Sequence, residues 1–241
     1  MKIILDYHTH TNHSDGSGTV EENVLAAVSL GFTEIAISDH SVRHAVNGVR
    51  NIEKYLEDLQ KAKEKYKGVI DVKAALELNL LSMDGELDVP QGYEKYFDLL
   101  LFGFHKAALY KGFASAMHFL LPKREDLKSV ERNTRAYLAA MENYPVRVIT
   151  HIGYGLPVDK LEIARAAQKC GVLLEINNKH PEFTAQELAA CQETGVQFIL
   201  GSDAHTPGSV GCVDRAIKKA LDAGIGADRI FNAKEDTVCN L

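Results

Sequence analysis

Polar residues able to bind a metal ion or a phosphate stand at the ends of seven short apolar runs in this 241-residue chain. Ile3–Leu5 leads into Asp6-Tyr7-His8-Thr9-His10, and Glu34–Asp39 ends at His40. Val72–Leu76 ends at Glu77, Asp98–Phe104 at His105, and Val146–Thr150 at His151. Val172–Ile176 ends at Asn177, and Phe198–Ser202 at Asp203-Ala204-His205. Residues i and i+2 of a strand point to the same side. His8 with His10, and Asp203 with His205, can therefore each converge on one ion. Ser14-Asp15-Gly16 follows the first pair in a turn-like segment that can bring the Asp15 carboxylate back to it; a plain Asp-Gly turn is the alternative role.

Nine candidate ligands result: His8, His10, Asp15, His40, Glu77, His105, His151, Asp203 and His205. A tetrahedral zinc takes about four ligands, and a catalytic one usually leaves a position to water. Nine side chains thus imply a cluster of two or three ions. Imidazole and carboxylate together suit zinc, manganese or iron.

Scattered core residues would not keep this order. A barrel of parallel strands would, because its active site lies at the C-terminal ends of the strands, and closure makes the first and last strands neighbours. Amphipathic stretches alternate with the runs at Thr19–Leu30, Asn51–Lys67, Asp126–Asn143, Pro157–Cys170, Thr184–Thr194 and Ser209–Ala223. Thr19 followed by Glu22 is a capping-box pattern, and Gly171, Gly195 and Gly224 stand where helices should stop. Such alternation reads as βα units around a parallel sheet, an α/β fold. After His205, Arg229–Asn232 alone offers an eighth strand. No linker divides the chain, so residues 1–241 read as one domain. Leu80–Tyr96 and Lys106–Lys128, the latter with Lys111, His118, Lys123 and Arg124, break the rhythm after strand ends and are expected as a rim or lid.

Composition narrows the function. The formal charge of −6 argues against extended nucleic-acid or anionic-membrane binding, while a metal cluster can still attract a small anion. No apolar window is long enough for a membrane helix, and the first strand begins too early to leave room for a signal peptide, so a cytoplasmic protein is expected. Cys170, Cys191, Cys212 and Cys239 lack metal-site spacing and are expected as reduced, mostly buried thiols.

The chain resembles the PHP family, the polymerase and histidinol phosphatase domain. The matching pieces are His8-Thr9-His10-Thr11-Asn12-His13-Ser14-Asp15-Gly16, Ser38-Asp39-His40, Glu77-Leu78-Asn79, Gly103-Phe104-His105, Thr150-His151, Leu174-Glu175-Ile176-Asn177 and Gly201-Ser202-Asp203-Ala204-His205, in family order over nearly the whole chain. The resemblance implies a distorted (β/α)7 barrel, a trinuclear centre of zinc, manganese or iron, and phosphoesterase chemistry of the stand-alone histidinol-phosphatase type. Some compact members place a histidine after the first pair. Here both His13 and Asp15 occur; Asp15, in the Ser-Asp-Gly position, is taken as the ligand, with His13 as the alternative.

The reaction so implied is hydrolysis of small phosphate monoesters. Three divalent ions against the carboxylates of Asp15, Glu77 and Asp203 leave a positive cavity, and metals lower the pKa of bound water toward ~7, giving a hydroxide for in-line attack on phosphorus. Asp203 and His205 would orient that nucleophile or protonate the leaving group. Arg43, His44, Lys106, Lys179 and His180 follow strand ends closely enough to contact phosphate, or else are solvated surface charges. Asn177 would orient a ligand or the substrate, or simply finish a strand; Glu175 is expected to face the helix layer. The alternatives are a phosphodiesterase or 3′–5′ exonuclease of the same family, an amidohydrolase sharing the first His-x-His, and a metal-binding regulatory module without turnover.

Overall fold

The computed structural model describes residues 1–121, 126–180 and 182–235. A short strand, β1 (Lys2–Ile3), pairs antiparallel with the last one, β9 (Ala233–Lys234). Between them β2 (Leu5–Asp6), β3 (Glu34–Ile37), β4 (Asp71–Asn79), β5 (Leu99–Gly103), β6 (Val148–Ile149), β7 (Leu173–Asn177) and β8 (Phe198–Gly201) form one parallel sheet in chain order. The helices are α1 (Val20–Ser29), α2 (Ile52–Lys65), α3 (Phe113–Leu120), α4 (Leu127–Asn143), α5 (Lys160–Cys170), α6 (Ala185–Gln192) and α7 (Asp214–Asp222). The expected run Ile3–Leu5 is thus split between two sheets. Ile4 marks the crossing, its N–H bonded to Asn232 O and its carbonyl taken by Thr33 N–H.

The sheet closes on itself as a distorted seven-stranded barrel. Near the strand ends the closure is main chain, His10 N–H to Ala204 O at 2.7 Å and Ala204 N–H to His8 O at 3.1 Å. Lower down it is a side chain. Asn232 Nδ2 donates to Leu5 O (3.0 Å) and Leu200 O (2.8 Å), and its Oδ1 accepts from Leu200 N–H (3.0 Å). Arg229–Asn232 therefore supplies no eighth strand. Ile230 makes one parallel bridge to Phe198, and Asn232 fills the remaining gap. A buried amide with both ends bonded to main chain does what a strand's N–H and C=O groups would do there.

Alternation of side chains decides what enters the barrel. Val72, Ala74, Leu76 and Leu78 join the large core between sheet and helices, whereas Ala75 joins an inner layer with Leu5, Tyr7, Ala36, Leu101, Val148, Leu173 and Ile199. Each leucine, isoleucine or valine among them contributes roughly 1.5–3 kcal/mol when fully buried. Two residues further along β3 to β8 stand Ser38, Glu77, Gly103, Thr150, Glu175 and Gly201. The apolar floor thus gives way to a polar layer within one pleat. Its glycines make room: a Cβ on Gly201 would lie 1.9 Å from Glu175 Oε1, and one on Gly103 2.4 Å from Thr150 Oγ1.

The α1 capping box is present, Glu22 N–H bonding Thr19 Oγ1 and Thr19 N–H bonding Glu22 Oε2. Gly171 ends α5 in the left-handed conformation, φ 68°. The segment expected as a rim contains α3, which no pattern announced. Lys123 and Arg124 of that segment, and Cys239, lie outside the described residues. Cys191 is buried, but Cys170 and Cys212 are exposed free thiols, contrary to the expectation of mostly buried ones. Among the described residues no helix is long and apolar enough to cross a membrane.

Candidate metal centre

All nine expected ligands meet at the C-terminal ends of the strands. They form four overlapping groups in which one ligand atom per residue lies within 4.8 Å of the others: His10, Asp15, His40 and His205; His8, His10 and Asp203; His8, Glu77 and His151; His40, Glu77 and His105. Glu77, fully buried on β4, connects two of them. Its Oε1 lies 2.9 Å from His151 Nε2 and 3.4 Å from His8 Nε2, while its Oε2 lies 2.9 Å from His40 Nδ1 and 3.3 Å from His105 Nε2. Asp203 Oδ1 is 3.6 Å from His10 Nε2, and Asp15 Oδ1 is 3.2 Å from His205 Nε2.

Asp15 and His13 separate cleanly. Asp15 reaches the cluster, its Oδ2 bonded by Asn47 Nδ2 at 2.8 Å. His13 turns outward to Asp58, 3.3 Å away, against the edge of the Tyr55 ring. The loop between them is tied to Asp39, a buried carboxylate that accepts from Thr11 N–H, Thr11 Oγ1–H (both 2.7 Å) and the Ser14 hydroxyl. Gly16 permits the return, since a Cβ there would sit 2.5 Å from His10 O.

The donor set suits cations. His8 Nε2, both nitrogens of His10 and His105, His40 Nδ1, His151 Nδ1 and Glu77 Oε2 are buried without a hydrogen-bond partner. Each such atom would cost ~1–3 kcal/mol if nothing engaged it, so gathering them in one place fits coordination by divalent ions. Electrostatics divide the imidazoles: against burial, neighbouring carboxylates raise His8, His151 and His205, whereas two others are lowered. Burial, with His40 and His8 beside it, pushes His10 well below the usual imidazole range. Burial likewise lowers His105 to about 4, despite Glu77. Neutral imidazoles present the lone pairs that metals need. Burial alone would raise Glu77 and Asp203, but the surrounding imidazoles hold both well below the ordinary carboxylate value. His151 and Asp203 adopt positive φ, 27° and 53°. Strained backbone of this kind persists where the surroundings over-determine it, commonly at functional sites.

Glu175 does not face the helix layer. It lies two residues from both Leu173 and Asn177 and so points inward with them. It is fully buried, with Oε1 2.6 Å from His8 Nδ1 and Oε2 accepting from His151 N–H at 2.7 Å. It adds a fourth carboxylate to the three counted from sequence. Asn177 is bonded on all sides: Nδ2 donates to Glu175 Oε2 (2.9 Å) and Asp203 Oδ2 (3.2 Å), while Oδ1 accepts from the N–H groups of Lys179 and His180. It orients the carboxylates and the following turn.

A cavity of about 400 Å³ opens above the cluster, walled by His44, Phe104, Lys106, Tyr154, Lys179 and His180. Lys179 Nζ lies 3.3 Å from Asp203 Oδ1 and 2.6 Å from His205 Nδ1. His180 stacks on Tyr154, ring centroids 3.8 Å apart, and approaches Asp203 Oδ2 at 3.4 Å. Arg43 is not there. Its N–H bonds Asp88, its Nε bonds Leu109 O, and it lines a separate groove of about 830 Å³ with Glu86, Gln91, Glu94 and Lys111. That groove is larger, but its buried carboxylate, Asp88, is satisfied by Asn79 and Arg43 N–H; the unpartnered ligand-type atoms of the cluster lie under the smaller cavity. Tyr154, missed in the sequence, falls in the turn after His151, where proximity to a strand end was the available signal.

The PHP domain family profile matches residues 6–209. A protein of Thermoanaerobacter sp. (strain X514) named a probable phosphatase is 31% identical, the match covering 96% of this chain and 91% of that protein. Another named a probable phosphatase, from Caldanaerobacter subterraneus subsp. tengcongensis, is 29% identical over 99% of this chain and 90% of its own length. Among solved structures, histidinol phosphate phosphatase from Lactococcus lactis, complexed with zinc, L-histidinol and phosphate, shares the fold with a TM-score of 0.62 at 19% identity, covering 94% of this chain and 95% of that one.

Proposed function

This chain belongs to the PHP domain family, and on that premise we propose that it is a metal-dependent phosphatase hydrolysing small phosphate monoesters at the nine-residue cluster. The observation that carries the reading is the convergence of six histidines and three carboxylates, many of them with unpartnered buried donor atoms, under a small cavity walled in part by Lys106 and Lys179. His8, His10, Asp15, His40, Glu77, His105, His151, Asp203 and His205 would hold two or three ions of zinc, manganese or iron. Ions held there supply Lewis acidity to phosphoryl oxygens and a water of lowered pKa.

The rest falls to the protein's own groups. Lys179 Nζ, on the cavity wall beside Asp203 and His205, is placed to donate to a phosphate oxygen, and Lys106 adds a second positive charge at the rim. Asp203, steadied by Asn177 Nδ2, and His205 beside it are the groups we assign to orienting the attacking water and handling the proton at the leaving oxygen. His44, pushed by burial and by His40 down to about 4, stays neutral and adds a wall rather than a charge. A cavity of about 400 Å³ admits a phosphate with a small leaving group, and the formal charge of −6 disfavours a long polynucleotide. The relatives named probable phosphatases and the zinc, histidinol and phosphate of the L. lactis enzyme support the same chemistry.

The test is substitution. His10→Ala and Asp203→Ala should each abolish metal-stimulated phosphate release while circular dichroism stays as in the parent. Retained turnover in either variant would remove that residue from the site. Absent turnover in the parent, with tight metal binding, would favour a regulatory metal-binding module.

A further inference from the structure

Glu175 is a buried carboxylate outside the nine-residue set, yet it touches two members of that set at once. Its Oε1 meets His8 Nδ1 at 2.6 Å, leaving His8 Nε2 directed at Glu77 Oε1 (3.4 Å) and Asp203 Oδ1 (3.9 Å). Its Oε2 accepts the main-chain N–H of His151 at 2.7 Å, in the residue whose φ of 27° a β-carbon disfavours. The His151 ring thereby points Nε2 to Glu77 Oε1 at 2.9 Å. Asn177 Nδ2 holds the same carboxylate from the next inward position, at 2.9 Å. The neighbouring strand carries Gly201 where any β-carbon would fall 1.9 Å from Glu175 Oε1. The barrel therefore reserves space for this one group.

We propose that Glu175 is a positioning residue for the metal centre, fixing the tautomer and direction of His8 through its ring N–H and the strained turn of His151 through its amide. The proposal rests on the reading of His8 and His151 as metal ligands. An imidazole that coordinates through one nitrogen characteristically donates its other N–H to a carboxylate or carbonyl, and losing that partner costs ~10–100-fold in metal affinity. One carboxylate serving two ligands couples their alignment. The two groups that contain His8 depend on it, whereas the members of the other two (His40, Glu77 and His105; His10, Asp15, His40 and His205) make no hydrogen bond to Glu175.

Glu175→Gln keeps the shape but cannot accept at both ends. If its oxygen keeps the His151 amide, its NH2 faces His8 Nδ1, which must then accept, and the ring proton moves to Nε2. Zinc and manganese binding to metal-free protein, measured by calorimetry and by metal content after dialysis, should show one or two sites weakened ~10–100-fold and the remaining site unchanged. Gly201→Ala, which displaces the carboxylate without altering its charge, should reproduce that selective loss and covers the case in which the glutamine variant does not fold. Wild-type stoichiometry and affinities in both variants would overturn the proposal, as would an equal weakening of every site, which marks a general loss of structure. A parent protein that binds neither metal would instead defeat the ligand reading, and with it this proposal.

Discussion

The turn that carries Lys179 and His180 is held from below by the buried Glu182 and a half-buried Lys219, and the protonation of that carboxyl should be measurable as stability. Glu182 Oε1 accepts from Asn177 N–H at 2.9 Å, and Lys219 Nζ bonds Asn177 O (2.7 Å) and His180 O (2.6 Å) while lying 3.3 Å from Glu182 Oε2. Burial raises the Glu182 carboxyl from its ordinary 4.5 to about 7, against the opposing pull of Lys219. A carboxyl whose pKa is raised by folding contributes stability that is fully present below pH 4.5 and is lost as the pH climbs through 7. At about 1.4 kcal/mol per pKa unit, the whole window is worth on the order of 3 kcal/mol, of which about 2–3 kcal/mol falls between pH 5 and pH 8. Glu182→Gln removes the titration and leaves every other group in place. Urea unfolding of parent and variant at both pH values isolates the effect, because other titrations cancel in the difference. The variant should gain on the parent by about 2–3 kcal/mol from pH 5 to pH 8. A difference that stays constant, or one that falls with pH, would refute the reasoning.

Two further outcomes follow from other contacts. Lys179→Ala should lower kcat/KM for a phosphate monoester by roughly 10–100-fold, the scale of a hydrogen bond to a charged group, and Lys179→Arg should restore part of it; equal kinetics in parent and alanine variant would take Lys179 out of substrate binding. Tyr55 OH bonds Ile37 O and Ala75 O, both at 2.9 Å, and receives Asp39 N–H at 3.3 Å. Tyr55→Phe should therefore cost ~1–3 kcal/mol in urea unfolding, and an unmoved midpoint would contradict that assignment.

The order of strands and the convergence of the ligands were legible because both follow from one rule, that a parallel barrel gathers its strand ends on one side. His8 and Asp203 sit beside one another for the same reason that β2 and β8 do. Glu175 was misread although the same alternation governs it. Leu174 to Asn177 alternate apolar and polar, so Glu175 and Asn177, two residues apart, share one side and the phase was simply miscounted. Arg43 follows His40 closely in sequence, but its orientation is set by Asp88 and Leu109, contacts 45 and 66 residues away. Barrel closure was equally hidden, since Asn232 acts through a side-chain amide and leaves no strand-like pattern. Helix α3 spans eight residues, and its Gly112 N-cap at φ 80° offers no side-chain capping bond. The loop signals that flank it outweigh its short amphipathic face.

The central claim is that the cluster hydrolyses phosphate monoesters with bound metal. Phosphate release from a panel of monoesters should be measured with manganese, zinc or iron beside a chelated control. The account predicts release that depends on metal, prefers some esters over others, and disappears on chelation. Release that persists in the chelated protein, or none from any monoester with any of the three metals, would contradict it.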